Sequence, residues 1–254
     1  MNIRLLGSGY GECKIKKKTT RDYRKRGGLL IDDRLLIDAP SDILEVAEEL
    51  GFSDLYSRVT DVVISHSHAG HFSKEAIATL AEKRKIRIFA SRAVLRQLAD
   101  VKNLETVEIA PFTQFNTGTH KVAVIPSNHN TDDPEEPCFN FVIMADKNLL
   151  YMLDGGLVNR PAFNAIKQLR IACVIMECAL GAEPPSEKLL YHNDVHGLSR
   201  LKGILADAKI TDEKTKYIIT HIPTSKKVSI HELLLPFAEE YGLTLGYDGL
   251  FATI

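Results

Sequence analysis

Along most of this chain, short apolar runs alternate with segments of helical period. Residues 2–6, 29–31, 35–37, 61–64 and 86–90 are brief, apolar and bounded by turn residues, so they read as strands. The Asp32-Asp33 pair is a tight-turn signal between two of them. Ser41 or Asp42 would cap a helix that runs to Leu50 and stops at Gly51, and Ser73 would cap another over 74–83. A third helix is expected over 93–99. The middle is richer in strands, at 107–109, 121–125, 139–144 and 149–153, with turns at Asn116-Thr117-Gly118 and Asp146-Lys147-Asn148. Helices at 161–169, 198–206 and 230–241 then interleave with strands at 172–176, 217–220, 243–247 and 251–253. Both halves mix the two kinds of element, and no linker divides them. The pattern predicts one domain over 1–254 of α/β (α+β) class: two sheets face to face with helices outside, a four-layer αββα sandwich.

Composition narrows the function classes. The chain has 254 residues, 44% of them hydrophobic, enough for a substantial core. The net charge of -1 supplies no global basic field, so nucleic acid is not the favoured partner. No apolar run approaches the roughly 18 residues of a membrane span, and the N-terminus reads as a strand rather than a signal peptide. Cys13, Cys138, Cys173 and Cys178 lack C-x-x-C spacing, which predicts reduced thiols and a cytoplasmic protein.

The candidate chemistry lies at strand ends. His66-Ser67-His68-Ala69-Gly70-His71 directly follows the apolar run Val62-Val63-Ile64. A loop beyond a buried strand that carries three imidazoles can aim them at one point, and imidazole is the commonest neutral metal ligand. His129, Asp154 and His221 likewise follow apolar runs. Strand ends on one edge of a sandwich would bring all six together, and five histidines with a carboxylate suit two divalent ions such as zinc or manganese.

With these residues the chain resembles the metallo-beta-lactamase superfamily, whose H-x-H-x-D-H signature matches His66, His68 and His71 and whose later ligands match His129, Asp154 and His221. The resemblance implies a two-metal hydrolase. His66, His68 and His129 would hold the first metal; His71 and His221 would hold the second, with Asp154 bridging and taking part in catalysis. It also implies that Asp38 orients a metal-binding histidine from behind. Gly70 stands where the family has an Asp ligand, which would weaken the second site. Asp154 stands where the true beta-lactamases have Cys, and the Gly/Pro-rich arm of the tRNA-processing branch is missing.

The C-terminal third is most similar to the PhnP-type cyclic phosphodiesterases, through Met176-Glu177-Cys178, Tyr191-His192-Asn193-Asp194, Ile219-Thr220-His221-Ile222 and Gly246-Tyr247-Asp248-Gly249. That resemblance implies hydrolysis of a small cyclic or nucleotide-like phosphate diester by a metal-activated water. His192 would be the general acid, Asp194 its orienting partner, and Asp248 a supporting residue. His196, at i+4 from His192, is the alternative acid but reads as a surface residue. His120 and His231 are assigned to a turn and a helix surface. The branch's cysteine-rich zinc site has no counterpart around Cys13. The run from Lys14 to Arg26 holds eight basic residues: Lys14, Lys16, Lys17, Lys18, Arg21, Arg24, Lys25 and Arg26. It is either a solvated loop or a rim that attracts phosphate, with Arg24 and Arg26 as the candidate substrate contacts. Alternatives are a hydrolase of carboxylic esters, lactones or thioesters on the same site, or a metal-binding protein that has lost catalysis. A homodimer is a family-level expectation.

Overall fold

Strands without a polar face must be covered on both sides, and the chain achieves this with three apolar layers. The computed structural model describes residues 1–13, 15, 20–52, 54–183, 191–224 and 229–254. One sheet runs from edge to edge through Phe251–Thr253 (β16), Asn2–Leu5 (β1), Leu29–Ile31 (β3), Leu35–Ile37 (β4), Asp61–Val63 (β5), Ile86–Ala90 (β6) and Leu104–Glu108 (β7). The second runs through Thr244–Leu245 (β15), Lys216–Thr220 (β13), Ile171–Glu177 (β12), Asn148–Met152 (β11), Phe139–Met144 (β10), Lys121–Pro126 (β9) and Gln114–Asn116 (β8). A small parallel pair, Gly9–Tyr10 (β2) with Ile222–Pro223 (β14), joins the N-terminal loop to the exit of β13.

Alternation within each strand sorts side chains between layers. Ile3, Leu5, Leu29, Ile31, Val63, Phe141, Tyr151, Ile175 and Ile218 meet between the sheets. Leu30, Leu36, Val62 and Ile88 face outward and are covered by Ile43–Glu49 (α1), Leu55–Arg58 (α2), Lys74–Lys83 (α3) and Arg92–Gln97 (α4). On the other side, Val142, Leu150, Val174 and Met176 are covered by Arg160–Ile166 (α5), Val195–Asp207 (α6) and Ile230–Glu240 (α7). This is the αββα sandwich expected. Among the described residues no helix is long and apolar enough to cross a membrane. All four cysteines are free thiols.

Departures from the sequence-based expectation have local causes. The very short β2, β14 and α2 carry no periodic signal. β8 is too polar to read as a strand. The edge strand β7 starts earlier than expected, at Leu104, because its pairing with β6 supplies order that its exposed sequence does not. Asp42 does stand at the N-cap of α1, but its side chain makes no capping bond, because Arg26 takes both carboxylate oxygens.

Candidate metal centre

Each sheet delivers part of the cluster. After β5 the chain turns through residues 65–72, closed by amides of His71 and Phe72 donating to the His68 carbonyl. It is pinned to the exit of β4 by the Ala39 amide donating to the His71 carbonyl at 2.8 Å. The second sheet supplies His129 beyond β9, Asp154 beyond β11, Glu177 at the end of β12 and His221 directly after β13. Asp38, Asp154 and His221 have φ of 62°, 47° and 54°. This left-handed conformation disfavours L-residues, and it lets the side chains leave the strand direction and turn to one point.

The ligand-type atoms of His66, His68 and His129 lie within 4.8 Å of one another, as do those of His66, His71 and Asp154. Nε2 of His129 is 3.0 Å from Nδ1 of His68. Asp154 stands between the two halves of the cluster. Its Oδ2 is 2.7 Å from His71 Nε2 and 3.6 Å from His66 Nε2. Its Oδ1 is 3.1 Å from His221 Nε2 and 3.3 Å from His192 Nδ1. Glu177 Oε1 lies 4.0 Å from the same His192 nitrogen. Behind the cluster, buried Asp38 accepts from the Ser65 amide at 2.8 Å and from the Tyr151 hydroxyl at 3.2 Å, and its Oδ2 is 2.9 Å from His71 Nδ1. That contact orients the His71 ring and leaves its Nε2 facing Asp154.

The donor set fits divalent cations. His66 Nε2, His71 Nε2, His192 Nδ1, His221 Nε2 and Asp154 Oδ1 are buried, and none makes a well-formed hydrogen bond. A single unsatisfied buried polar atom costs about 1–3 kcal/mol, and four imidazole nitrogens grouped around one carboxylate oxygen are what a shared cation would satisfy. Burial, reinforced by the other histidines, holds His66 well below the usual imidazole range and brings His129 down to about 4, so both rings are neutral, the form that can ligate a metal. Burial also acts downward on His71, yet the Asp154 and Asp38 carboxylates carry it up to about 10. Burial opposes ionisation of Asp154, but His221 and His71 hold it well below the usual carboxylate range. In the bare protein the His71 ring thus carries the positive charge that a cation would supply.

The structure therefore gathers His66, His68, His71, His129, Asp154, His192 and His221, and it backs His71 with Asp38. Several expected residues lie elsewhere. Asp194 does not orient His192: it is the buried N-cap of α6, accepting from the Gly197 amide at 2.5 Å. Arg24 is no substrate contact, being fully buried; its guanidinium donates to Ser8 Oγ and the Gly246 carbonyl and meets His231 Nδ1. Arg26 is spent on Asp42 and Ser41. Asp248 supports the amides of Ser8 and Lys25 rather than a histidine of the cluster. Lys14, Lys16, Lys17 and Lys18 lie outside the described residues. His196 is half-buried against Phe237 and Tyr241, and His120 is buried beside Asp32. A Cβ at Gly70 would meet only His221 Cε1, at 3.8 Å.

Three groups were missed from the sequence as site residues. Glu177 is fully buried, and burial together with Asp154 pushes its carboxyl up to about 8. Its signal was the one that marked Asp154, an acid ending an apolar strand. Glu136, also buried, accepts from Ser67 Oγ and from Ser91 Oγ, tying the loop of His129 to that of His66 and His68. Tyr10 packs edge-on against His192 and His221. Neither Glu136 nor Tyr10 has a signal in one sequence.

Residues 33–231 match the family model described as the beta-lactamase superfamily domain. The metallo-beta-lactamase fold protein YhfI from Bacillus subtilis is similar with a TM-score of 0.75 and 16% identity, over 99% of this chain and 98% of that one. A diphosphatase of the PhnP family is similar with a TM-score of 0.71 and 18% identity, over 99% of this chain and 96% of that one. A metallo hydrolase from the archaeon Ignicoccus hospitalis gives a TM-score of 0.62 at 14% identity, over 100% of this chain and 99% of that one. At these identities the likeness is one of fold. None of the curated proteins matches the chain in sequence.

Proposed function

The chain belongs to the beta-lactamase superfamily, and on that premise we propose that it is a metal-dependent hydrolase of phosphate diesters, small cyclic or nucleotide-like ones. In this reading His66, His68 and His129 hold one divalent ion, zinc or manganese, and His71, Asp154 and His221 hold a second. When bound, such ions supply Lewis acidity and an acidified water for attack on phosphorus. Three protein ligands at the second site leave it open, as catalytic sites are.

The observation that carries the reading is the placement of His192. Its ring lies at the edge of the cluster, 16% exposed, with Nδ1 against Asp154 and Glu177. Burial lowers its pKa, but the adjoining Asp154 carboxylate, with Glu177, wins and raises it. An imidazole at the edge of the cluster, its proton affinity raised beside Asp154, suits proton donation to a departing alkoxide, the demand that an alkyl phosphate diester makes. The similar fold of a PhnP-family diphosphatase supports phosphoryl chemistry over other esters.

The test is hydrolysis of bis-p-nitrophenyl phosphate, and of a ribose cyclic phosphate, by chelator-stripped protein with zinc or manganese restored. Turnover should require metal and vanish in His68→Ala. His192→Ala should lower turnover of the poor alkoxide leaving group by about a hundredfold to ten-thousandfold, with far less effect on p-nitrophenolate and no loss of bound metal. Hydrolysis of carboxylic esters but no phosphate diester would overturn the substrate class.

A further inference from the structure

We propose that Tyr10 is a catalytic residue of this site, its phenol donating a hydrogen bond to a non-bridging oxygen of the phosphoryl group held beside His192 and His221. The inference rests on the phosphoryl reading above and deepens it, since it assigns a substrate contact to a residue outside the metal-ligand set.

Backbone geometry fixes where Tyr10 stands. β14 begins one residue after His221 and pairs with β2 in the register Ile222 to Gly9 and Pro223 to Tyr10. The Ile222 amide donates to the Ser8 carbonyl at 2.9 Å. Any placement of His221 therefore places Tyr10 as well. The Tyr10 ring centroid lies 5.0 Å from that of His221 and 5.5 Å from that of His192, with interplanar angles of 67° and 65°. It spans the metal half of the cluster and the proton-donor half.

Tyr10 is nevertheless 43% exposed, so it lines the mouth rather than filling the core. Among the described residues its hydroxyl has no hydrogen-bond partner. The arginines expected on this rim are committed elsewhere, Arg24 beneath the loop and Arg26 to Asp42. Tyr10 itself is a neutral phenol, protonated at neutral pH and able to donate.

The loop beneath Tyr10 is braced more heavily than a surface turn requires. Asp248 accepts from both the amide and the hydroxyl of Ser8, at 2.8 and 2.7 Å. The buried Arg24 guanidinium donates to Ser8 Oγ at 2.9 Å and to the Gly246 carbonyl at 2.6 Å. The Gly9 amide donates to the Lys25 carbonyl at 2.9 Å. A donor fixed in this way before substrate arrives needs no reorganisation when charge builds on the phosphoryl oxygens. This gives the Arg24 and Asp248 network a purpose: both residues serve the site as positioning residues acting through Ser8.

The experiment compares Tyr10→Phe and Tyr10→Ala with the unmodified protein, all metal-loaded, by calorimetric titration with inorganic phosphate, bound-metal content and steady-state kinetics. Tyr10→Phe should bind phosphate about tenfold more weakly, as loss of one hydrogen bond to a charged group implies, and should lower kcat, with metal content and Tm unchanged. Tyr10→Ala should be little worse than Tyr10→Phe. Phosphate affinity unchanged in Tyr10→Phe but lost in Tyr10→Ala would overturn the proposal, leaving the ring as a shield for His221. Loss of metal in Tyr10→Phe, or failure of the unmodified protein to bind phosphate, would also overturn it. Tyrosine-dependent phosphate binding without diester turnover would instead uphold the Tyr10 contact to the phosphoryl group and sink the diesterase reading.

Discussion

A side chain at position 70 would meet no obstruction at its Cβ, which approaches only His221 Cε1, at 3.8 Å. Gly70 has an ordinary φ, so no backbone strain opposes a side chain. Gly70→Asp is accordingly expected to fold normally and to add a fourth protein ligand beside His71, Asp154 and His221. Metal retained after dialysis against a weak chelator should rise, with the gain confined to the second equivalent. An unchanged second equivalent would show that position 70 does not face that triad. The residue scale is also where the sequence was most and least informative. Histidines and an aspartate that end apolar strands were legible because strand ends on one edge of a sandwich lie together, although the left-handed turns at Asp154 and His221 that aim the side chains were not. Arg24 and Asp194 were misread because a charged residue beside a motif looks the same in sequence whether it faces a substrate, supports a loop from below or caps a helix. Only packing separates those fates, and at Arg24 it is decided by Gly246 and His231, more than two hundred residues away along the chain.

At the scale of elements, the strands with long apolar runs and the helices with side-chain caps were legible, because burial on two faces and capping are local properties. Ser73 capping α3 by accepting from the Ala76 amide is one such case. The paired β2 and β14 were not, since neither has a pattern of its own, yet they carry Tyr10 to the site. The start of α6 shows how an element boundary bears on mechanism. The helix begins at Val195, ahead of the apolar period read from Leu198, because Asp194 caps it there. Asn caps a helix about as well as Asp, whereas Ala costs about 0.5–2 kcal/mol. Asp194→Asn should therefore keep both Tm and turnover, while Asp194→Ala should lower Tm and disturb the adjoining His192. A large loss of activity in a stable Asp194→Asn protein would restore Asp194 as a partner of the general acid.

For the whole molecule, the consequential fact is that the proposed ligands come from both sheets. His66, His68 and His71 leave the first sheet after β5, while His129, Asp154 and His221 leave the second after β9, β11 and β13. Cations bound among them would act as a clip across the edge of the sandwich. Deeper in, the core between the sheets is apolar, and near the cluster it gives way to the Tyr151 to Asp38 hydrogen bond. Ligand sets of this kind do not exist in an unfolded chain, so the free energy of metal binding adds to folding stability. Metal present at a hundredfold over its Kd adds about 2.7 kcal/mol, equivalent to roughly 5–10 °C in Tm for a chain of this size. Chelator should thus lower Tm by that amount in the unmodified protein. It should lower Tm less in His68→Ala and in Asp154→Ala, each of which is left with one complete triad. Equal chelator effects in all three proteins would mean that the stabilising metal binds elsewhere, and the cluster would then have to be explained without it.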